Sequence, residues 1–354
     1  MTREPLGRLL VVRLGSLGDL IHTLPAVAAI RLTHPFAQID WLVDRAHREL
    51  LDLVPVISST IPLRKPTGDG WIQALRELRA RRYDVAIDFQ GLIKSAVLAR
   101  LSGAARVIGF SRRAAREGAA SLFYTERVAV PDTGHVVHKN LALAGRLGAP
   151  VHRLEFPLMP LPSGALDELT ANGIDRFALV NGGAAWPNKR WPPERFGRIA
   201  AWLHERHGLR SVVLWGPGEE SLAQAIVDAA SGAAILAPPT SLTDLVALAG
   251  RATLMISGDT GPTHVAAALG TPVVALFGPT DPERNGPWDA GDVTVSRYQV
   301  CDCHYQRRCV HGAGERWCLG TITEEDVREA IDQRLRRRAA GEGRAASDRD
   351  SNSD

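Results

Sequence analysis

The stretch Ser257-Gly258-Asp259-Thr260-Gly261-Pro262-Thr263-His264 has the residue types of an anion cradle. It follows an apolar run and opens a small-residue helix, so backbone N–H groups and the positive helix end would meet a diphosphate. Thr260 and His264 are four apart, which on a helix puts both on one face near its start. Asp259 is itself an anion, and is read as shaping the turn or meeting a sugar. Glu219 and Glu220 follow Gly216-Pro217-Gly218. A carboxylate there serves either the hydroxyls of a ribose or the dipole of the helix it begins. Ser16-x-x-Asp19 reads, on local grounds, as a capping box at a helix start. His22, beside Pro25, reads as a half-buried histidine rather than a binding residue.

Two further groups carry chemistry. Cys301, Cys303, Cys309 and Cys318 are spaced C-x-C-x5-C-x8-C, with His304 and His311 among them. That density suggests a structural zinc, and inside a cell a disulfide fits less well. Lys94, Arg64, Lys65, Arg112, Arg113 and Arg116 form a basic set in the first half, suited to an anionic acceptor or an anionic membrane surface.

These residues sit at the ends of apolar runs. Leu9 to Leu14, Ile39 to Val43, Ile57 to Leu63, Tyr83 to Phe89 and Val107 to Phe110 read as strands. Helices are expected over Leu20 to Leu32, Ala46 to Leu53, Trp71 to Arg82 and Leu92 to Leu101. After a proline-rich stretch between Ala149 and Gly164 the alternation restarts at Phe177. Its strands are Phe177 to Asn181, Ser211 to Trp215, Ala234 to Ala237, Ala252 to Ile256 and Pro272 to Phe277. Such alternation predicts α/β architecture with parallel sheets covered on both faces. The domains are read as 1–155 and 165–336, followed by a tail, 339–354, too poor in apolar residues to fold.

Composition agrees with two soluble domains: 354 residues, 45% hydrophobic and 23% charged. The net charge, 42 − 39 = +3, is too small to argue for nucleic acid. No signal peptide and no membrane span is read, so the expected location is cytoplasmic. Neither half opens with Gly-x-Gly-x-x-Gly, which argues against a nucleotide-dependent oxidoreductase.

Specific words narrow the class. Leu14-Gly15-Ser16-Leu17-Gly18-Asp19-Leu20-Ile21-His22-Thr23-Leu24-Pro25-Ala26 resembles the N-terminal signature of the bacterial heptosyltransferases, the family 9 glycosyltransferases. Asp88-Phe89-Gln90-Gly91-Leu92-Ile93-Lys94-Ser95-Ala96 resembles a second signature, and Gly258 to His264 with Leu276 to Pro282 a third. Ala115-Arg116-Glu117 with Ala120 to Tyr124 looks like the acceptor-side loop of the type I enzymes.

The resemblance implies a GT-B fold, two Rossmann-like domains with the active site in the cleft. It implies inverting transfer of heptose from an ADP-sugar to the inner core of lipopolysaccharide, without a catalytic metal or other cofactor. In that frame Asp19 is the general base. Lys189, before Trp191-Pro192, faces the leaving diphosphate together with Thr260, Gly261 and His264. Glu219, Glu220 and Asp259 complete the donor side. Lys94, Arg116, Arg64 and Lys65 meet the acceptor. Ala184 and Ala185 stand where some relatives carry hydroxyl residues, which leaves only backbone donors there. The partners implied are a nucleotide-sugar donor, a lipid-linked saccharide acceptor and the inner-membrane surface. The alternatives are another donor sugar, a protein acceptor, or a nucleotide-sugar-binding protein without turnover.

Overall fold

Apolar runs form the strands, and short turns at their carboxyl ends hand each one to a helix. The computed structural model describes residues 6–63, 68–152, 154–311 and 317–341. Arg64 and Lys65, and the tail beyond 341, lie outside them. The chain divides into two units, Met1–Met159 and Pro160–Asp354.

The first unit holds β1 (Arg8–Val12), α1 (Leu17–Ile21), α2 (Leu24–Thr33), β2 (Gln38–Asp44), α3 (Arg48–Asp52) and β3 (Ser59–Leu63). It continues with α4 (Gly68–Arg81), β4 (Val85–Asp88), α5 (Ile93–Leu101), β5 (Arg106–Phe110), β6 (Glu126–Val128) and α6 (Val136–Ala144). The second holds α7 (Gly164–Ala171), β7 (Phe177–Asn181), α8 (Pro193–His207), β8 (Arg210–Val213), α9 (Glu220–Asp228) and β9 (Ala234–Leu236). Then come α10 (Leu242–Arg251), β10 (Leu254–Gly258), α11 (Gly261–Ala268), β11 (Val273–Phe277), α12 (Pro282–Asn285), β12 (Val293–Ser296) and α13 (Glu324–Ala339).

Each unit has one parallel sheet, ordered β3-β2-β1-β4-β5-β6 and β12-β11-β10-β7-β8-β9. The second order is the first read backwards. In both, the first strand of the unit pairs with its fourth, and the winding reverses between them. Ligands of open α/β sheets bind outside the carboxyl ends of the strands at that reversal. The two places to look are therefore the ends of β1 and β4, and the ends of β7 and β10. Register sets their partners: Val12 lies opposite Asp88, and Asn181 opposite Ser257.

Helices cover both faces, so the central strands are apolar throughout. Leu9, Leu10, Val11 and Val12 are fully buried, as are Phe177, Ala178, Leu179 and Val180. Each such Leu or Val side chain stabilises the fold by about 1.5–3 kcal/mol. No helix among the described residues is long and apolar enough to cross a membrane.

The expected helix from Leu20 to Leu32 is two helices. Pro25 sits in the first turn of α2, where its missing N–H costs nothing. Thr23 donates its hydroxyl to the Asp19 carbonyl at the junction. The β6, α6, α7 and β12 elements lie in stretches whose apolar runs are short or irregular, and no element was read there. α13 continues to Ala339, the residue at which the tail was expected to begin.

Candidate active site

At the end of β1 the chain turns through Leu14-Gly15-Ser16 into α1. Asp19 caps that helix from within: its Oδ2 accepts from the Ser16 N–H at 3.0 Å and from the Ser16 hydroxyl at 3.2 Å. Its other oxygen, Oδ1, lies 2.5 Å from Arg13 Nη2. Arg13 is nearly buried, with 8% of its side chain exposed, and also donates to the Phe89 carbonyl at the end of β4. Burial pushes the Asp19 carboxyl up. Arg13, the Ser16 bonds and, more weakly, Arg116 outweigh it and hold the pKa below its ordinary value. With 29% of its side chain exposed, the ionised carboxylate remains reachable.

The β4 turn holds this arrangement in place. Gln90 Oε1 accepts from the Leu14 N–H at 2.7 Å. Asp88, fully buried, accepts from the Gln90 N–H, the Ser95 hydroxyl and the Tyr124 hydroxyl, each at 2.8 Å. Burial raises the Asp88 pKa against those bonds. Glu117 accepts from Ile93 N–H at the start of α5, and its own N–H reaches the Gly91 carbonyl. This brings Arg116 into electrostatic reach of Asp19. Lys94 and Arg116 are both exposed. His22 is buried and stacks edge-on against His135 at 5.3 Å. His47 lies near Asp19; burial lowers its pKa, opposed by Asp44 and Asp19.

In the second unit, the ends of β7 and β10 frame a concavity of about 170 Å³ lined by Asn181, Gly183, Ala184, Glu219, Thr260 and Gly261 among others. Asn181 Nδ2 lies 3.1 Å from each of the Gly183 carbonyl, Ser257 Oγ and Thr260 Oγ1. Thr260 is the N-cap of α11, so the first N–H groups of that helix have no acceptor within it. Glu219 reaches over Gly183, where a Cβ would collide with its carboxylate. Its Oε2 accepts from the Gly216 N–H at 3.3 Å, and Arg190 lies 3.7 Å from Oε1. Glu220 is exposed in the first turn of α9 and does not line the concavity.

Asp259 is the hub beside it. Lys189 Nζ lies 2.5 Å from its Oδ2, the Thr280 hydroxyl donates to the same oxygen at 2.7 Å, and His264 Nε2 lies 3.2 Å from Oδ1. Burial would raise this carboxyl, but His264 and Lys189 hold it far below its ordinary value. Lys189 also lies 4.5 Å over the Trp186 ring. Its turn packs on the end of β10 so tightly that a Cβ on Gly258 would meet the Lys189 carbonyl at 2.9 Å.

The helix starts at Gly261, with Thr260 as its cap joined to Asn181, and His264 within it meets Asp259. Sequence reading missed Arg13, Gln90, Asn181 and Thr280. A charged residue ending a fully apolar strand, and an amide just before Gly-Gly, were the available signals.

The cysteines are free thiols in one cluster with Trp317. Cys301 and Cys318 sulfurs are 3.4 Å apart, and Cys303 and Cys309 sulfurs 3.7 Å. As placed, no three metal-binding side chains among the described residues converge to hold an ion.

Comparison with known proteins agrees with this architecture. The profile of glycosyltransferase family 9 (heptosyltransferase) matches residues 71–312. Lipopolysaccharide heptosyltransferase 1 of Pseudomonas aeruginosa is 32% identical over 327 residues, covering 86% of this chain and 88% of that one. The solved E. coli heptosyltransferase WaaC with ADP superposes with a TM-score of 0.74 at 26% identity, over 94% of this chain and 99% of that one. The same enzyme with ADP-2-deoxy-2-fluoro heptose gives 0.72 at 26% identity, over 92% and 99%.

Proposed function

The chain belongs to glycosyltransferase family 9, the heptosyltransferases, and we propose that it moves heptose from ADP-L-glycero-D-manno-heptose to the Kdo-lipid A inner core of lipopolysaccharide with inversion. Membership of that family makes it a glycosyltransferase. The relatives' names and the ADP-heptose analogue bound by a similar enzyme support the donor and acceptor.

The observation that carries the chemistry is Asp19, an ionised, reachable carboxylate at the carboxyl end of β1. In this reading an acceptor hydroxyl attacks the anomeric carbon as Asp19 takes its proton. The bond from that carbon to the diphosphate oxygen breaks on the opposite face, and ADP leaves with the electron pair. The transition state is oxocarbenium-like. Charge growing on the leaving diphosphate meets N–H groups at the start of α11 and the Lys189 ammonium. Glu219 binds ribose hydroxyls. Lys94 and Arg116 meet acceptor anions.

No metal enters these steps, and any zinc on the cysteines is structural in this reading. Exposed Arg112, Arg113 and Arg116, with Leu122 75% exposed in the turn that follows, support peripheral contact with the anionic cytoplasmic face of the inner membrane.

The test is a donor panel with Kdo-lipid A, with and without chelator, and assignment of the product's anomeric configuration. Inverted heptosyl product from ADP-heptose, unaffected at once by chelation, is expected. Turnover of a different nucleotide sugar, retained configuration, or immediate reversible loss on chelation would each overturn part of the reading.

A further inference from the structure

The segment from Arg297 to Ile322 has only short 3-10 turns among its described residues; Leu319 and Ile322 at its end join the apolar core, and the part before them packs around sulfur. Cys301, Cys303 and Cys318 are at most 7% exposed. A loop of this length has too little apolar surface to order itself. Small irregular segments of this kind are held by cross-links or metals.

We propose that Cys301, Cys303, Cys309 and Cys318 form a tetrathiolate site for a zinc-class divalent cation, and that the ion braces the two turns meeting at Asp259. A tetrahedral ion with bonds of about 2.3 Å to sulfur sets its ligands about 3.8 Å apart. The Cys303–Cys309 separation of 3.7 Å matches that edge, and Cys301–Cys318 at 3.4 Å is slightly inside it. The two pairs pack together in one cluster with Trp317.

Backbone donors point the same way. The Cys303 N–H lies 3.4 Å from Cys301 Sγ, and the Val310 N–H 3.2 Å from Cys303 Sγ. Both sulfurs thus accept from the backbone, as metal-bound sulfur does. Disulfides would use the same pairs without needing these donors, and they suit an oxidising compartment.

The loop touches both halves of the Asp259 hub. Asn188, next to Lys189, donates its side-chain amide to the Gln306 carbonyl at 2.8 Å. Tyr305 N–H reaches the Pro279 carbonyl at 2.9 Å, next to Thr280. Gly278 is so close to the cluster that a Cβ there would lie 3.0 Å from Cys318 Sγ. Ordering this loop therefore orders the turns that carry Lys189 and Thr280.

The test uses the full chain and metal alone. Protein stripped by a chelator under reductant is titrated with cobalt(II), then zinc(II), and thiol alkylation is followed by mass spectrometry. One cobalt per chain with the visible bands of a tetrahedral thiolate complex is expected. Zinc should displace it and protect all four cysteines from alkylation. Cys309→Ser, the change at the least buried ligand, should weaken uptake without unfolding the chain. Substoichiometric uptake, equal alkylation with and without metal, or two disulfides in the isolated protein would overturn the site.

The bracing role rests on Lys189 being a donor contact, and it is read separately. Stripped protein should bind ADP several-fold more weakly and recover on zinc addition. Unchanged affinity in stripped protein that still takes up metal would overturn bracing. No ADP binding even with metal present would instead sink the donor reading.

Discussion

Arg13 Nη2 stands 2.5 Å from Asp19 Oδ1, and the same guanidinium holds the Phe89 carbonyl of the neighbouring strand. One buried cation therefore joins the ends of β1 and β4 and fixes the charge of the proposed base. A carboxylate held this way is a weak base, but it is fully ionised at neutral pH. An attacking hydroxyl loses its proton only as the new bond forms, so an ionised acceptor of that proton suffices. Arg13→Gln should let the Asp19 pKa rise, because it removes the nearest opposite charge. The acid limb of kcat/KM against pH should then move up with it. An unmoved acid limb would show that Arg13 serves only the fold.

Asp19 also caps α1, and the two roles can be pulled apart. Asp19→Asn keeps an oxygen for the Ser16 bonds but cannot take a proton. Transfer should fall by roughly 10²–10⁴-fold, the usual worth of a general base. ADP affinity should stay level, and stability should fall by about 1.5–3 kcal/mol, because buried Arg13 loses its anionic partner while the Ser16 bonds are kept. Turnover near the native rate, with calorimetry showing only the loss of stability, would leave Asp19 as a cap alone.

How much of this was legible beforehand follows from what a sequence can display. β1, β4, β7 and β10 are short apolar runs, and each ends in the turn where a candidate residue was placed. The order in which they pair, which marks the ligand-binding ends, appears only in the structure. The side-chain partners were hidden because they are non-local. Arg13 meets Phe89 across 76 residues, and Lys189 meets Asp259 across 70. No periodicity encodes such a pair. Lys189 read alone is a surface lysine, yet only 14% of its side chain is exposed. α6 escaped notice because His135 provides its cap through a ring nitrogen, which no Ser, Thr, Asp or Asn signal announces.

The Lys189–Asp259 pair carries both structure and binding. Lys189→Ala leaves Asp259, 5% exposed on its side chain, with His264 and Thr280 as partners. Loss of one hydrogen bond to a buried charge should lower stability by about 1.5–3 kcal/mol. ADP affinity should also fall, since the ammonium is the proposed counter-charge. A double-mutant cycle with Asp259→Asn separates the effects: stability terms should couple strongly, because the residues touch. Independent, additive stability losses would mean the contact is absent in solution.

Glu219 covers Gly183 closely, so the glycine is a steric handle on it. Gly183→Ala should push the carboxylate off the floor of the concavity, with backbone geometry at that turn otherwise kept. ADP should bind more weakly, and the preference for ADP over its 2′-deoxy analogue should shrink, as it should in Glu219→Ala. Isothermal titration with both nucleotides decides it. Undiminished discrimination in both variants would place the ribose elsewhere.

Asp292 gives the fold a pH signature away from the chemistry. Its Oδ1 accepts from the Val273 N–H and from Arg334 Nε, each at 2.8 Å, and only 2% of its side chain is exposed. Burial pushes its pKa up to about 6, opposed by those two partners and helped by Asp289. The folded chain therefore binds this proton more tightly than the unfolded chain, whose carboxyl keeps the ordinary 3.8. Stability from this group is complete below the unfolded value and is lost as pH rises through the folded one. A difference of about two units corresponds to roughly 3 kcal/mol. Asp19 and Asp259, whose pKa values are lowered, act with the opposite sign at more acid pH, where folding weakens as they protonate. Urea denaturation of the wild type and of Asp292→Asn, from about pH 4 to 7, isolates the term. The Asn variant should be about as stable as the wild type near pH 4, because its amide oxygen accepts from Val273 and Arg334 as the neutral carboxyl does. The wild type should then lose stability relative to the variant as pH rises through 6. A wild type that holds or gains ground on the variant over that range would show that Asp292 is ionised throughout, with the Arg334 ion pair outweighing burial.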